Sequence, residues 1–401
     1  MEWFTQLALG MKIEIILSIC FSIALISYLI YRRKYVTFQN IFAPFLYIFM
    51  LRRQWGIKLM DHIGKKYGEA VKLFGLIGIG VGFVAMGLMV ALFGMLLYWL
   101  FTEPAKAALA PAVPFVSFPG LGFLGFTHWI LAIAFLVIVH EFAHGMVARA
   151  YGIPIKSSGI AVLGLLAPIF PAAFVEPDEK VMAKKSDVVQ YSVLGAGSFM
   201  NLCWFVFFWL LMLLIVSPAF VAMTAPTGFS FEYAGNDVPV YLAGVPEQTL
   251  ITGFNNVSID SADSMIQTVQ HLSAGEIIYL TTIDGQTYEV VLQQHPEDEH
   301  RAYVGMINIM NHRDFTTTFK PIGAAFLWFH DLIKWLIIFN LMVGIFNMLP
   351  LVITDGGQMF RIAVAKTTGS VQTANKITVL LGFIFGFIIL AGIGVWVFGL
   401  A

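Results

Sequence analysis

Two histidines four residues apart, His140 and His144, enclose Glu141 in the stretch LVIVHEFAHGMV, Leu136 to Val147. On an α-helix residues four apart project from one face, so the two imidazoles can share a metal ion. Neutral imidazole nitrogens suit zinc, and a glutamate beside them that is not a ligand can accept a proton from water at the metal. Zinc lowers the pKa of such a water from about 15.7 to about 7, which makes hydroxide available near neutral pH. HExxH also arises by chance, but this run is otherwise apolar or small. An ionisable group at the centre of a membrane helix costs about 2.5–3.5 kcal/mol, so three polar groups within five residues need a partner, and a metal is the simplest one.

A catalytic zinc takes three protein ligands and keeps a fourth position open. The stretch FNMLPLVITDGGQMF, Phe346 to Phe360, offers Asp355. Pro350 breaks a helix there, and Gly356-Gly357 lets the backbone turn closely past a metal. Alone, an Asp-Gly after a Pro reads as a turn. Its pairing with HExxH makes Asp355 a ligand candidate.

The elements that must position these groups are membrane helices. Of the 401 residues 59% are hydrophobic and 12% charged, where a soluble protein carries about 25% charge. Crossing about 30 Å of hydrocarbon takes about 20 apolar residues. Six candidate spans follow: Ile13 to Tyr31, Leu73 to Phe101, Thr127 to Ala150, Val188 to Val216, one within Ile322 to Leu349, and Ile377 to Leu400. The first ends at Arg32, Arg33 and Lys34 with no small-residue cleavage site, so it reads as a retained anchor. His140 lies 11 residues from Trp129 and nine from Arg149, about 16 Å and about 13 Å along a helix. The metal is expected inside the membrane, towards the Arg149 side.

Charge orients the spans. Of the 23 Lys and Arg, 17 fall in Arg32 to Lys72, Arg149 to Lys185 and Arg361 to Lys376. By the positive-inside rule that side is cytoplasmic and both termini lie outside, in a multi-pass protein of the cell membrane. A net charge of -1 argues against a nucleic-acid partner. Cys20 and Cys203 are the only cysteines and both sit in apolar runs, which excludes a disulfide framework.

From about Thr224 to Lys320 the apolar runs shorten to strand length and 12 of the 24 acidic residues collect. This reads as a soluble α+β domain on the outer face. It has a strand, a turn at Asn255-Asn256, a short helix near Ala262 to Leu272, and two strands joined at Asp284-Gly285. The order, with the preceding AGVP, resembles a PDZ domain, a fold that binds extended peptide at a sheet edge. A spacer without a ligand is the alternative. The fold class is thus a polytopic α-helical membrane protein of about six transmembrane helices with an inserted extracytoplasmic PDZ-like domain. The expected divisions are 1–126, 127–223, 224–320 and 321–401.

HEFAH at His140 to His144 and NMLPLVITDG at Asn347 to Gly356 together resemble the signatures of the site-2 proteases, intramembrane zinc metalloproteases. GAGSFMN, Gly195 to Asn201, is similar to the family's G-x-x-x-N element through Gly197 and Asn201, with Ser198 replacing a frequent Pro. Thr354 stands where the family usually has Leu, a change expected to be tolerated because this residue is not a ligand. The likeness spans about Thr127 to Ser370 and leaves the first two spans unexplained. It implies one Zn2+ per chain on His140, His144 and Asp355, and Glu141 as general base. It implies single-span membrane proteins as substrates. Asn201 either hydrogen-bonds the scissile carbonyl or developing oxyanion, or makes an interhelical hydrogen bond. Asn347 and Asn340 read as structural.

IKSSGIAVLGLLAPIFPAAF, Ile155 to Phe174, is too interrupted by Gly and Pro for a span and reads as a re-entrant hairpin beside the metal. An extended, locally unwound substrate can pair with its edge at Gly159, Ile160, Ala161 and Val162; a plug in the cavity floor is the alternative. Val36 to Leu51, flanked by Arg32, Arg33, Arg52 and Arg53, reads as an amphipathic interfacial helix. Gly78, Gly82 and Gly87 suit close helix packing. His330, Asp331 and Lys334 read as a snorkelling cluster at the outer interface, and His271, His295, His300 and His312 as solvated. Two rival functions use the same residues. A zinc transporter places His and Asp at membrane depth but needs no adjacent non-ligating Glu, and a PDZ-bearing membrane scaffold needs no working metal site.

Overall fold

The computed structural model describes residues 9–42, 46–118, 120–165, 167–296 and 298–399. The chain begins with α1 (Leu9–Tyr31), β1 (Val36–Phe42), β2 (Leu46–Arg53), α2 (Ile57–Lys66) and α3 (Gly68–Thr102). A small hairpin, β3 (Ser117–Phe118) and β4 (Gly122–Phe123), leads into α4 (Phe126–Ala150), β5 (Ile155–Leu165) and β6 (Ala167–Pro177). Then come α5 (Glu179–Met182), α6 (Asp187–Leu211) and α7 (Ser217–Met223).

A β-rich stretch follows, with β7 (Thr224–Tyr233), α8 (Pro239–Leu242), β8 (Ile251–Phe254), β9 (Val257–Ser258), α9 (Ala262–Val269), β10 (Ile277–Thr282), β11 (Thr287–Val291), β12 (Gln293–His295), β13 (Asp298–Tyr303) and β14 (Met306–Phe315). The chain returns to helix with α10 (Lys320–Phe346), α11 (Asp355–Thr368) and α12 (Val371–Val397).

Among the described residues six helices are long and apolar enough to cross a membrane: Leu9–Tyr31, Gly68–Thr102, Phe126–Ala150, Asp187–Met223, Lys320–Phe346 and Val371–Val397. They fall where the hydrophobic runs place the six spans. The fourth runs further than expected, because α6 continues through a π-helical turn, Met212–Val216, into α7. Leu400, the expected end of the sixth, lies outside the described residues.

Tertiary contacts divide the chain into two units, Met1–Leu211 with Asp331–Ala401, and Met212–His330. In the first, α3 and α6 pack through glycine: a Cβ on Gly195 would lie 2.7 Å from the Gly78 carbonyl oxygen. Gly82 faces the sulfurs of Met348 and Met359. Gly87 has nothing within 4 Å of where its Cβ would be, so two of the three expected packing glycines serve that purpose.

The first unit also holds a four-stranded antiparallel sheet in the order β1-β2-β5-β6. Its β5–β6 hairpin covers the stretch Ile155 to Phe174 where the sequence predicts a hairpin. The interfacial helix expected over Val36 to Leu51 is not there: among the described residues this stretch forms β1 and β2. Its β-branched and aromatic residues, such as Val36, Thr37, Phe38, Tyr47 and Ile48, favour a pleated strand. Strand β5 supplies the neighbour, pairing Leu51 with Ile160 and Phe49 with Val162. Gly159 permits the approach, since a Cβ there would run into the Leu51 carbonyl.

The second unit is a sheet in the order β11-β10-β8-β7-β14, with β9 paired to β8. Phe229, Phe231, Val240, Ile251, Met265, Ile278 and Leu280 are among the residues of its core. Asn255 and Asn256 take positive φ of 47° and 63°, the pattern of the tight hairpin turn expected between β8 and β9.

Candidate metal centre

Helix α4 carries His140 and His144 on one face, and both side chains are buried. Their Nε2 atoms lie 3.1 Å apart. Asp355, at the first position of α11, closes a triangle, with Oδ2 3.1 Å from His140 Nε2 and 3.1 Å from His144 Nε2. Tetrahedral zinc with bonds of about 2.0–2.1 Å requires ligand atoms about 3.3 Å apart, so these three atoms make one face of such a tetrahedron. Two imidazoles and one carboxylate are a donor set that zinc takes. The space for the ion is made by α6: a Cβ on Gly197 would fill the gap between the two histidine Nε2 atoms.

The ring orientations suit that use. His144 Nδ1 lies 2.7 Å from the Val193 carbonyl oxygen, which fixes the proton on Nδ1 and leaves Nε2 free. The fully buried Asn201 amide lies 3.3 Å from His140 Nδ1, on the side of that ring away from the triangle. Asn347 donates from Nδ2 to Asp355 Oδ2 at 2.6 Å and lies 3.1 Å from His140 Nε2. Asn340, by contrast, donates to the Leu336 carbonyl one turn back in its own helix.

Asp355 owes its place to a broken helix. The Gly356 amide donates to the Asn347 carbonyl, so the chain beyond Pro350 folds back on the end of α10. A Cβ on Gly356 would meet the Met348 backbone, and one on Gly357 would run into the Leu351 carbonyl. Thr354 then caps α11. Its hydroxyl accepts from the Gly357 amide at 3.1 Å and donates to the Leu349 carbonyl at 2.6 Å. The departure from Leu at this position therefore supplies a cap immediately before the ligand.

Glu141 lines one cavity with His144 and Asp355. Its Oε2 accepts from the Val175 amide of β6 at 2.9 Å. A cavity of 1120 Å³ is lined by Glu141, His144, Asp355, Val175, Gln358 and Arg361 among others. The sheet meets this cavity through Phe174 to Pro177 of β6 and through Met50 of β2. Strand β5 is central, paired with β2 on one side and β6 on the other. The main chain of Gly159, Ile160, Ala161 and Val162 is therefore already engaged on both sides, and the free edges of the described sheet belong to β1 and β6. Next to Val175, Glu176 of β6 accepts from Ser157 at 2.6 Å and from Arg52 of β2. The Ser157 hydroxyl first, and then the Arg52 guanidinium, hold this carboxyl below the usual carboxylate range.

Residues 128–390 match the sequence model of Peptidase family M50. The chain belongs to that family. The family is one of metallopeptidases of the site-2 protease type, and in this chain His140, His144 and Asp355 form a group able to hold a metal ion. The chain is 27% identical over 228 residues to an uncharacterized protein of Methanocaldococcus jannaschii, covering 57% of this chain and 54% of the other, so it spans about half the length of that curated relative. Among solved structures, the PDZ domain of an SdrC-like protein from Listeria monocytogenes matches 20% of this chain and 85% of its own, at 18% identity and a TM-score of 0.18.

Sequence reasoning reached His140, Glu141, His144, Asp355, Gly197 and Asn201 by number. It missed three roles: the Gly197 cradle, the Val175 amide and the Thr354 cap. Only the last had a signal in sequence, a Thr directly before a helix start.

Proposed function

We propose that this M50 peptidase is an intramembrane zinc endopeptidase that hydrolyses peptide bonds within or near the transmembrane segments of single-span membrane proteins. The observation that carries the reading is the 3.1 Å triangle of His140, His144 and Asp355 on helices of membrane-crossing type, with Glu141 beside it. Bound Zn2+ supplies a Lewis acid that polarises the scissile carbonyl and brings water's pKa near 7. Glu141 takes the proton of the attacking water as the oxygen–carbon bond forms, then hands it to the amine as the carbon–nitrogen bond breaks. The Val175 amide holds one carboxylate oxygen of Glu141 and so aims the other.

Asn201 orients His140. An imidazole that ligates through Nε2 carries its proton on Nδ1, so the Asn201 amide turns its oxygen to that N–H. Of the two roles left open by the sequence this favours the interhelical hydrogen bond, from α6 to the histidine of α4. Asn347 steadies Asp355 in the same manner. An unwound substrate strand adds to the free edge of β6 and not at Gly159 to Val162, and the 1120 Å³ cavity gives it room.

The excess of Lys and Arg on three segments supports a metal site on the cytoplasmic half of the membrane, with both termini and the β-rich unit outside. That unit, Met212–His330, would select substrates by admitting or excluding their outer portions, as a PDZ-like binder of extended peptide.

The deciding experiment is Glu141→Gln in purified protein given a single-span substrate, with metal analysis alongside. The expected result is one zinc per chain and turnover reduced by at least about a hundredfold, the usual contribution of a general base. Loss of zinc, or turnover within about tenfold of wild type, overturns the assignment.

A further inference from the structure

The spacing of Lys58, His62, Lys65 and Lys66 places four cationic or titratable side chains on one stripe of α2, and all four are exposed. The stripe borders a groove of 480 Å³ lined by these residues and Asp61. Asp61 is spent on Arg149 of α4, with which it forms an ion pair. The rim of the groove therefore keeps three lysine charges with no acid of its own left to balance them.

Large apolar side chains flank the stripe: Trp55 is 49% exposed, Leu59 53% and Tyr67 52%. A basic helix face bordered by Trp, Leu and Tyr is the composition of a segment lying at a headgroup boundary, where lysines meet lipid phosphates and the apolar rings enter the acyl region.

The other face of α2 is committed to the helix that bears the histidines. A Cβ on Gly145, the neighbour of His144, would run into the Met60 thioether, and a Cβ on Gly64 would lie 3.1 Å from the Ala150 amide nitrogen. The start of α2 is fastened too, since Ser158 of β5 donates to the Trp55 carbonyl at 2.6 Å. A load on α2 thus acts on the end of α4.

We infer that α2 is an anionic-phospholipid site of the cytoplasmic leaflet, in which Lys58, Lys65 and Lys66 take the headgroup phosphate while Trp55, Leu59 and Tyr67 enter the acyl boundary. It is the interfacial element that the sequence placed at Val36 to Leu51, moved one segment along. Its occupancy holds α4, and with it His140 and His144, at a set depth. The inference does not depend on the protein being a protease, because it concerns lipid retention alone.

The test uses the full chain in neutral detergent, titrated with dihexanoyl phosphatidylglycerol, dihexanoyl phosphatidylcholine or glycerol 3-phosphate. Bound molecules are counted by native mass spectrometry and hydrogen exchange is read over 57–66. The intact chain is expected to retain phosphatidylglycerol over phosphatidylcholine and to slow exchange over 57–66 when it does so. Each lysine changed to Ala should reduce that preference by about fivefold, the surface-potential contribution of one basic residue. Lys58→Arg/Lys65→Arg/Lys66→Arg should keep it, which separates loss of charge from loss of fold. An undiminished preference in the triple Ala variant, equal retention of the two lipids by the intact chain, or binding of glycerol 3-phosphate as tightly as the lipid would each overturn the inference.

Discussion

The two units of the chain spend their polar residues in opposite ways. In the first, His140, His144 and Asn201 are buried and held by named partners, and Gly197 brings the backbone close to both histidines. In the second, the core is apolar, Phe229 to Leu292 and beyond, and among the described residues it holds no trio of His, Cys, Asp or Glu close enough to share a metal. Burying a polar group without a partner costs several kcal/mol, so a chain does it only where the partners are built in. The contrast puts the one metal-capable group among the described residues in the first unit.

The sharpest way to break this contrast is to remove the ligand furthest in sequence from the histidines. Asp355→Ala should abolish zinc retention on dialysis, while His271→Ala and His312→Ala in the β-rich unit should leave one zinc per chain. Metal analysis of the three variants decides it. Full zinc in Asp355→Ala would mean that the triangle is not the metal site.

A smaller effect sharpens the account of how the third ligand is presented. Thr354→Val keeps the side-chain shape but removes the hydroxyl that caps α11 and bonds Leu349. Losing a cap costs about 0.5–2 kcal/mol, and loss of an outer-shell partner typically lowers metal affinity about 10- to 100-fold. Zinc affinity by competition with a chelator should fall about tenfold in Thr354→Val and recover in Thr354→Ser. Equal affinities for all three would reduce Thr354 to packing.

How far the sequence leads follows from the same physics. The histidine pair was legible because a straight helix converts a spacing of four into a shared face without help from the rest of the fold. The six spans were legible because the bilayer sets their length. Asp355 was legible only as a candidate, since its place depends on Pro350, two tight glycines and a cap acting together. The strands at Val36 to Leu51 were misread because short apolar runs carry no decisive period, and what makes them strands is β5, more than a hundred residues away. The open edge was misplaced for the same reason: whether Gly159 to Val162 are free depends on a neighbour the local sequence does not announce.

The unit given no chemistry should be dispensable for metal binding. Replacing 224–319 with a short flexible linker should leave zinc content unchanged and cleavage of a short-tailed substrate intact, while discrimination against a long-tailed one relaxes. Zinc is measured first, so that a collapsed centre is not mistaken for lost selectivity. If zinc stays and the ratio of the two rates does not move, the β-rich unit is a spacer.

The smallest effect concerns the sheet of the first unit, where Glu176 ties β6 to Ser157 and to Arg52 of β2. The Ser157 hydroxyl and the Arg52 guanidinium favour the ionised carboxyl, so its folded-state pKa lies below the usual 4.5. A depressed carboxylate contributes stability that is fully present above its unfolded-state pKa and is lost as pH falls through the folded one. The group is about a third exposed, so solvent screens the interaction and the effect on melting should be a few degrees at most. Melts of wild type and Glu176→Gln in detergent should therefore differ at pH 7 and converge as the pH drops below about 4.5, with wild type the more stable at the higher pH. Because this contact joins the N-terminal hairpin to the strand whose Val175 amide holds Glu141, the variant should also show faster hydrogen exchange in β6 at pH 7. A melting difference that grew on acidification would contradict the sign of the linkage and detach Glu176 from any role in holding the sheet together.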